Sequence, residues 1–286
     1  MYRILSFNTA RQLNYFTTCT TSDGLHYVAT SQDKYIIKKM YIDRTNFAED
    51  EMKLFKMLVK LFYGIDDSEG LFLDLGANIG TSGIYFTKVL SPGLKLLAFE
   101  PDPENFKLLR TNLVLNDMEE NATAENYGLG IEESEMTIYR DAVNPGHNGL
   151  YSNDSGVAGE TVRIIPLDKY FTEKNLSPKD VKYIWIDTEG FEPQVLIGMK
   201  NILTANPAPI FMEFNPRIWQ QSGYFDKMMK FFNGLYENYV WVAKTIVTGQ
   251  IEVYPIEKLL EFKNSQANFG TLGDIFLIHE LKGVAE

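Results

Sequence analysis

Five carboxylates and two glycines in this chain are spaced as chemistry would require. Asp74, Gly76 and Gly80 stand in LFLDLGANIGTSGIYF, and Glu100 follows at the end of LKLLAFEPD. A glycine loop at a helix N-terminus lets backbone N–H groups approach an anionic group, and an acid about 20 residues further on accepts both hydroxyls of a ribose. The pair predicts an adenosine-containing ligand. Asp187, Glu189 and Glu213 stand in IDTEGFEP and FMEFNP, each at or just after an apolar run. A carboxylate ending a buried strand is costly to desolvate without a partner, so Asp187 and Glu213 are predicted to serve a site.

The elements that hold these residues read as a doubly wound α/β sheet. Leu71 to Leu75 and Leu94 to Phe99 are short apolar runs of the kind found in parallel strands buried on both faces. Thr123 to Leu129, Val181 to Ile186 and Pro209 to Phe214 continue the pattern, with helices predicted over 103–116, 193–203 and 224–236. Val240 to Val247 and Asp274 to His279 complete a mostly parallel, seven-stranded, Rossmann-like sheet, with a helix over 255–262 between them. Ligands of such sheets lie outside the carboxyl ends of the strands, so Gly76, Glu100, Asn126, Asp187 and Glu213 should share one edge.

Residues 1–44 differ in texture, being rich in Thr, Tyr and Ile, and are read as a small β appendage to a domain spanning 45–286. Strands are predicted at Arg3 to Phe7, His26 to Ala29 and Tyr35 to Ile42, with a hairpin turn at Ser22-Asp23-Gly24. Asn46 and Glu49 form a capping pair for a helix with Phe47, Leu54, Met57, Leu58 and Leu61 on its apolar face.

The glycine spacing chooses among nucleotides. A dinucleotide fingerprint, G-x-G-x-x-G, fails because Asn78 stands where the second glycine must be. NAD-dependent oxidation is therefore the rival reading, and a catalytically silent nucleoside-binding module a further one. The D-x-G-x-x-x-G that is present resembles the loop of class I methyltransferases that use S-adenosylmethionine. That resemblance implies cofactor contacts from Asp74, Gly76, Ala77, Asn78, Gly80, Glu100 and Pro101, with the adenine near Asn126 and Tyr127.

Three blocks narrow the resemblance. AFEPDPENFKLL at 98–109, YIWIDTEGFEPQVLIGM at 183–199 and FMEFNP at 211–216 are similar to the FkbM family of methyltransferases over about residues 46–215. This implies methyl transfer to an oxygen, often a hydroxyl of a glycan or secondary metabolite. Such a hydroxyl is a weak acid and needs a base of raised pKa, a histidine or a metal. Candidate groups are Asp187, Glu189, Glu213 and His147, the last in the long Gly/Asn/Ser-rich stretch 141–160. Asp187, Glu213 and Asn215 are hard oxygen donors of the kind Mg²⁺ prefers, which makes a divalent metal a further expectation. Glu192 before Pro193 reads as a helix-start acid, and Arg217, Trp219 and Tyr224 as either sugar-facing or packing residues.

Composition bounds the partners. With 286 residues, 45% of them hydrophobic, the chain can bury a large core, and its formal charge of −11 would repel a nucleic-acid backbone. A single cysteine, Cys19, excludes an internal disulfide, and the opening MYRILSFNTARQLNYF lacks a secretory pattern. The expectation is a cytoplasmic protein with a small-molecule or glycan acceptor and no nucleic-acid or membrane partner.

Overall fold

The computed structural model describes residues 2–13, 15–66, 69–140, 148–151, 157–263 and 273–280. Its strands are β1 (Phe16–Thr20), β2 (His26–Thr30), β3 (Gly70–Leu75), β4 (Leu94–Phe99), β5 (Ala122–Glu125), β6 (Gly128–Leu129) and β7 (Ser134–Arg140). They continue with β8 (Val157–Ile165), β9 (Val181–Ile186), β10 (Ile210–Glu213), β11 (Asn238–Trp241), β12 (Val253–Pro255) and β13 (Asp274–Ile278). The helices are α1 (Tyr2–Leu13), α2 (Ile36–Asp43), α3 (Glu49–Tyr63), α4 (Thr81–Tyr85), α5 (Pro103–Leu115) and α6 (Leu167–Glu173). After them come α7 (Glu192–Gly198), α8 (Lys200–Ala205), α9 (Pro216–Gln221), α10 (Phe225–Phe232) and α11 (Val242–Thr248).

The central sheet has the order β12-β11-β13-β10-β9-β3-β4-β5 among the described residues. From β10 to β5 all neighbours are parallel, while β13 runs antiparallel to both β10 and β11. The mostly parallel α/β architecture read from the sequence is thus present. An eighth strand, β12, adds to the expected seven at the outer edge, where its Pro255 loses no ladder partner.

Alternate side chains of each strand feed two cores, one on either face. On one face the buried α3 residue Phe55 meets the rings of Tyr183, Phe211 and Phe276 at 5.4, 5.4 and 5.9 Å. Deleting that ring would cost about 3 to 5 kcal/mol. The face of α3 is rotated from the predicted one: Met52, Phe55, Val59 and Phe62 are buried with Leu54 and Leu58, while Met57 and Leu61 are exposed. Glu49 does reach back to the Asn46 N–H, 3.1 Å, but the Asn46 amide binds Asp23 and Ala48 takes the cap position.

Several element types differ from expectation. Tyr2–Leu13 and Ile36–Asp43 are helices, not strands; Ile36, Ile37 and Met40 are buried at helical spacing, which overrides their β-branched character. The hairpin β1–β2 forms as expected, with Gly24 at φ +82°. Its open edge is closed by α5: Asn112 and Asn116 accept from Val28 and His26 N–H at 2.8 and 2.9 Å and donate back to the same residues. Leu115, expected to face inward, is exposed, and these two asparagines are buried. The expected strand 240–247 stops at Trp241 and becomes α11, with Val242 and Thr245 buried. The expected helix 193–203 breaks at Met199. Beyond β5 the chain leaves the central sheet, and β6, β8 and β7 form a small sheet of their own. No helix among the described residues is long and apolar enough to cross a membrane.

Candidate active site

Strand register brings the predicted residues to one edge. Leu75, Phe99, Glu125, Ile186 and Met212 form one row across the parallel strands, so Gly76, Glu100, Asn126, Asp187 and Glu213 each follow a residue of that row.

Gly76 has φ +93°, and a Cβ placed on it would lie 1.8 Å from the Asp187 carbonyl oxygen. No side chain fits there. The Gly76 and Ala77 N–H groups both donate to the Phe99 carbonyl, and Asn78 turns through the left-handed region at φ +50° to donate its own N–H to Glu100 Oε2, 2.8 Å. Glu100 Oε1 accepts from the Asp102 N–H at 2.8 Å. Burial pushes the Glu100 carboxyl up to about 8, the two N–H donors opposing it and the Asp102 and Asp74 charges adding to it.

Gly76, Asn78, Glu100, Pro101 and Tyr127 line a narrow cleft together with Asn148 to Leu150 and Asp187 to Glu189. Other predicted cofactor residues lie beneath this lining as its supports. Asp74 is buried behind the loop, accepting from the Gly83 N–H at 3.0 Å with its second oxygen unpartnered, and burial pushes it up to about 7. Ala77 accepts from the Gly80 N–H at 2.7 Å, and Gly80, at φ +87°, packs so tightly that a Cβ would meet Leu109 at 2.6 Å. Asn126 donates to the carbonyls of Glu100 and Pro101, 2.8 and 3.0 Å, and so braces the turn after β4.

Asp187, whose N–H donates to Leu75, starts the turn after β9. Glu192 holds that turn from inside: Oε1 accepts from Thr188 N–H, Thr188 Oγ1 and Gly190 N–H at 3.0 to 3.1 Å, and Oε2 from Trp219 Nε1 at 3.1 Å. Glu192 is a structural carboxylate, and Trp219, fully buried, is a packing residue with no face left for a sugar. Tyr224 lies under the Lys227 ammonium and outside both clefts described here.

A second, wider cleft opens on the other side of Asp187 and Glu189, and Asn78 lines both. It contains Glu213, Asp274, Glu51 and Trp185, and on α2 and its approach Lys34, Lys38 and Lys39. Glu213 and Asp274 are register partners across β10 and β13. Glu213 Oε2 is buried without a hydrogen-bond partner. Burial and the charges of Glu192, Glu189, Asp187 and Asp274 hold the Glu213 carboxyl well above the usual range, and burial and Asp187 push Asp274 up to about 8. Asp187 is open to the cleft, yet protein crowds it on most sides, and with Glu192 nearby its carboxyl is also raised.

The metal expectation is corrected. Asn215 Oδ1 accepts from the Ile218 N–H at 3.2 Å and caps α9, so it does not join Asp187 and Glu213 as a donor. Among the described residues no three His, Cys, Asp or Glu side chains are placed to hold an ion. His147 lies outside the described residues. Asp274 and the three lysines escaped the sequence reading. Asp274 opens a late strand whose neighbour the sequence does not disclose, and the lysines sit in a segment read as β; the helical spacing of Ile36, Ile37 and Met40 was the available signal.

The family profile described as methyltransferase FkbM domain matches residues 74–240. No curated protein matches the sequence. Among solved structures, a methyltransferase FkbM from Methylobacillus flagellatus KT is similar at 16% identity and TM-score 0.41, covering 81% of this chain and 52% of that one. The chain thus spans about half the length of that relative. A SAM-dependent O-methyltransferase from Thermotoga maritima aligns at 12% identity and TM-score 0.41, covering 94% of this chain and 79% of the other. An O-methyltransferase from Bacillus cereus in complex with SAH aligns at 14% and 0.39, covering 65% and 70%. With the matched segment running from the aspartate of the glycine loop to β11, more than half of the chain, the protein belongs to the FkbM family of methyltransferases.

Proposed function

We propose that the protein transfers a methyl group from S-adenosylmethionine to a hydroxyl oxygen of a glycan or secondary metabolite. The observation that carries this is the meeting of the two clefts at Asn78, Asp187 and Glu189. One cleft has the carboxylate and loop suited to a nucleoside; the other is wide and rich in proton acceptors.

The residues fit the cofactor. Glu100, fixed by two backbone donors and facing the narrow cleft, accepts the ribose hydroxyls. The loop at Gly76 to Asn78 holds the amino-acid end, and Tyr127 flanks the base. When bound, S-adenosylmethionine supplies a methyl group activated by a sulfonium. Asp187 stands where both clefts meet, and its raised pKa makes it a better base for a hydroxyl than an ordinary carboxylate. Glu213 and Asp274 share the released proton with it, since four neighbouring carboxylates cannot all stay ionised at low cost. Alignment of the acceptor with the donor is the remaining contribution, and two rigid strand ends supply it.

The test is incubation with methyl-labelled S-adenosylmethionine and a panel of hydroxylated glycans and metabolites, with melting curves in S-adenosylhomocysteine and in NAD. Labelled methyl ether and a melting temperature raised by S-adenosylhomocysteine alone are expected. Stabilisation by NAD instead, or label on nitrogen or carbon, would reject the reading.

A further inference from the structure

The wider cleft carries two opposite charges that do not neutralise one another. Glu213, Asp274, Asp187 and Glu189 lie along its sheet edge, and Glu213 Oε2 is buried there with nothing donating to it. That oxygen requires a hydrogen-bond donor that the protein does not provide. Lys34, Lys38 and Lys39 line the same cleft from α2 and the residue stretch before it. Among the described residues no carboxylate lies within ion-pair distance of these three ammoniums; Lys39 instead sits 5.9 Å from the centre of the Phe47 ring. In a chain with 38 acids against 27 basic residues, three uncompensated cations within six positions make a local positive field at a cleft mouth.

Three kinds of acceptor can be compared on this charge pattern. A neutral polyol satisfies Glu213 and leaves the lysines unanswered. An amine satisfies the carboxylates and is repelled by the lysines. A hydroxyl compound with an anionic substituent answers both.

Resting on the methyl-transfer reading, we infer that the acceptor is a hydroxylated molecule bearing a fixed negative charge, of the uronic-acid or sugar-phosphate class. Its anionic group is held by Lys34, Lys38 and Lys39, and a hydroxyl donates to Glu213 beside Asp187. Charge at the rim steers encounter and fixes orientation, so that the hydroxyl and not the anion reaches the strand ends.

The test titrates the S-adenosylhomocysteine-loaded protein with D-glucuronate, D-glucose 6-phosphate, D-glucose and D-glucosamine by calorimetry at low salt. At least one acid is expected to bind about tenfold or more tighter than glucose, with that advantage shrinking as salt is raised. The tighter of the two acids identifies carboxylate or phosphate as the natural group. A K34Q/K38Q/K39Q variant is expected to bind both acids no better than glucose while keeping its melting shift with S-adenosylhomocysteine. Should that variant fail to fold, K38E with the salt series makes the same comparison. The inference is overturned if glucose or glucosamine binds as well as the acids, if none of the four binds, or if the acid preference survives loss of the lysines. Failure of S-adenosylhomocysteine itself to bind would instead count against the methyl-transfer reading.

Discussion

Arg140 grips Asp102 with two nitrogens, Nε to Oδ2 at 3.0 Å and Nη2 to Oδ1 at 2.8 Å, and Asn148 Nδ2 adds a bond to the same carboxylate at 2.9 Å. Residues on both sides of 141–147 are therefore fastened to the turn that carries Glu100, and Asn148 to Leu150 line the cofactor cleft. Asp102 is buried and also caps α5 through the Glu104 N–H. Arg140→Ala removes the strongest of these partners. It is expected to cost about 1 to 3 kcal/mol of stability and to weaken S-adenosylhomocysteine about tenfold, read by denaturant unfolding and calorimetry. Unchanged affinity would show that 148–151 take no part in holding the cofactor.

Glu100→Gln replaces an acceptor of two N–H bonds by a group with one acceptor and one donor, which then faces a backbone N–H. S-adenosylhomocysteine affinity is expected to fall by about ten- to a hundredfold, and its melting shift to shrink accordingly. Affinity equal to that of the unaltered protein would remove Glu100 from the ribose role.

Gly76→Ala places a methyl group on a backbone oxygen, not on a flexible side chain. Neither neighbour can give way without breaking the β3–β9 ladder. A loss of about 3 kcal/mol or more is expected in chemical unfolding, with cofactor binding lost even in the fraction that folds. A stable, binding-competent Gly76→Ala protein would mean that the two strand ends are further apart than described.

Stability and turnover should respond to pH in opposite senses. Glu100 and Asp274 are pushed up to about 8 and Asp74 up to about 7, all by burial. A carboxyl raised on folding favours the folded state while it holds its proton. That contribution is complete below the ordinary carboxylate value of about 4 and is lost as pH rises through about 7 to 8. The melting temperature should therefore fall between about pH 6 and about pH 9, and Asp274→Asn should raise it by about 2 to 4 °C at the alkaline end. Methyl transfer, which needs an ionised base among Asp187 and Glu213, should increase over the same range; a pH-independent rate would exclude these carboxylates as the base.

The donor half was legible because its requirements are local. Asp74, Gly76 and Glu100 lie on consecutive strand ends, and a single βαβ unit fixes their relation. Asp187 and Glu213 were legible as carboxylates that close apolar strands. The acceptor half was not, because it is assembled from remote pieces. Lys34 to Lys39 belong to α2, and Tyr35 to Ile42 looked like a strand on β-branched content alone, although the burial of Ile36, Ile37 and Met40 has helical spacing. Asp274 meets Glu213 only because β13 inserts beside β10, a pairing no local pattern encodes. Asn215 and Trp219 looked chemical by type, and their atoms turn out to be spent on a helix cap and on Glu192.

That same insertion governs the order in which the molecule is built. β13, made near the end of synthesis, lies between β10 and β11, which are both made before it. The segments holding Gly76 and Glu100 can close on one another while the ribosome is still far from residue 274. Until β13 arrives, β10 has a bare edge, and Tyr63 lacks the Leu277 carbonyl and the His279 N–H that it bridges at 3.0 Å each. The nascent chain thus gains the means to hold a donor before the means to hold an acceptor. A premature stop ahead of Asp274 would leave a nucleoside-binding fragment with an open strand edge, a template for aggregation and not for turnover.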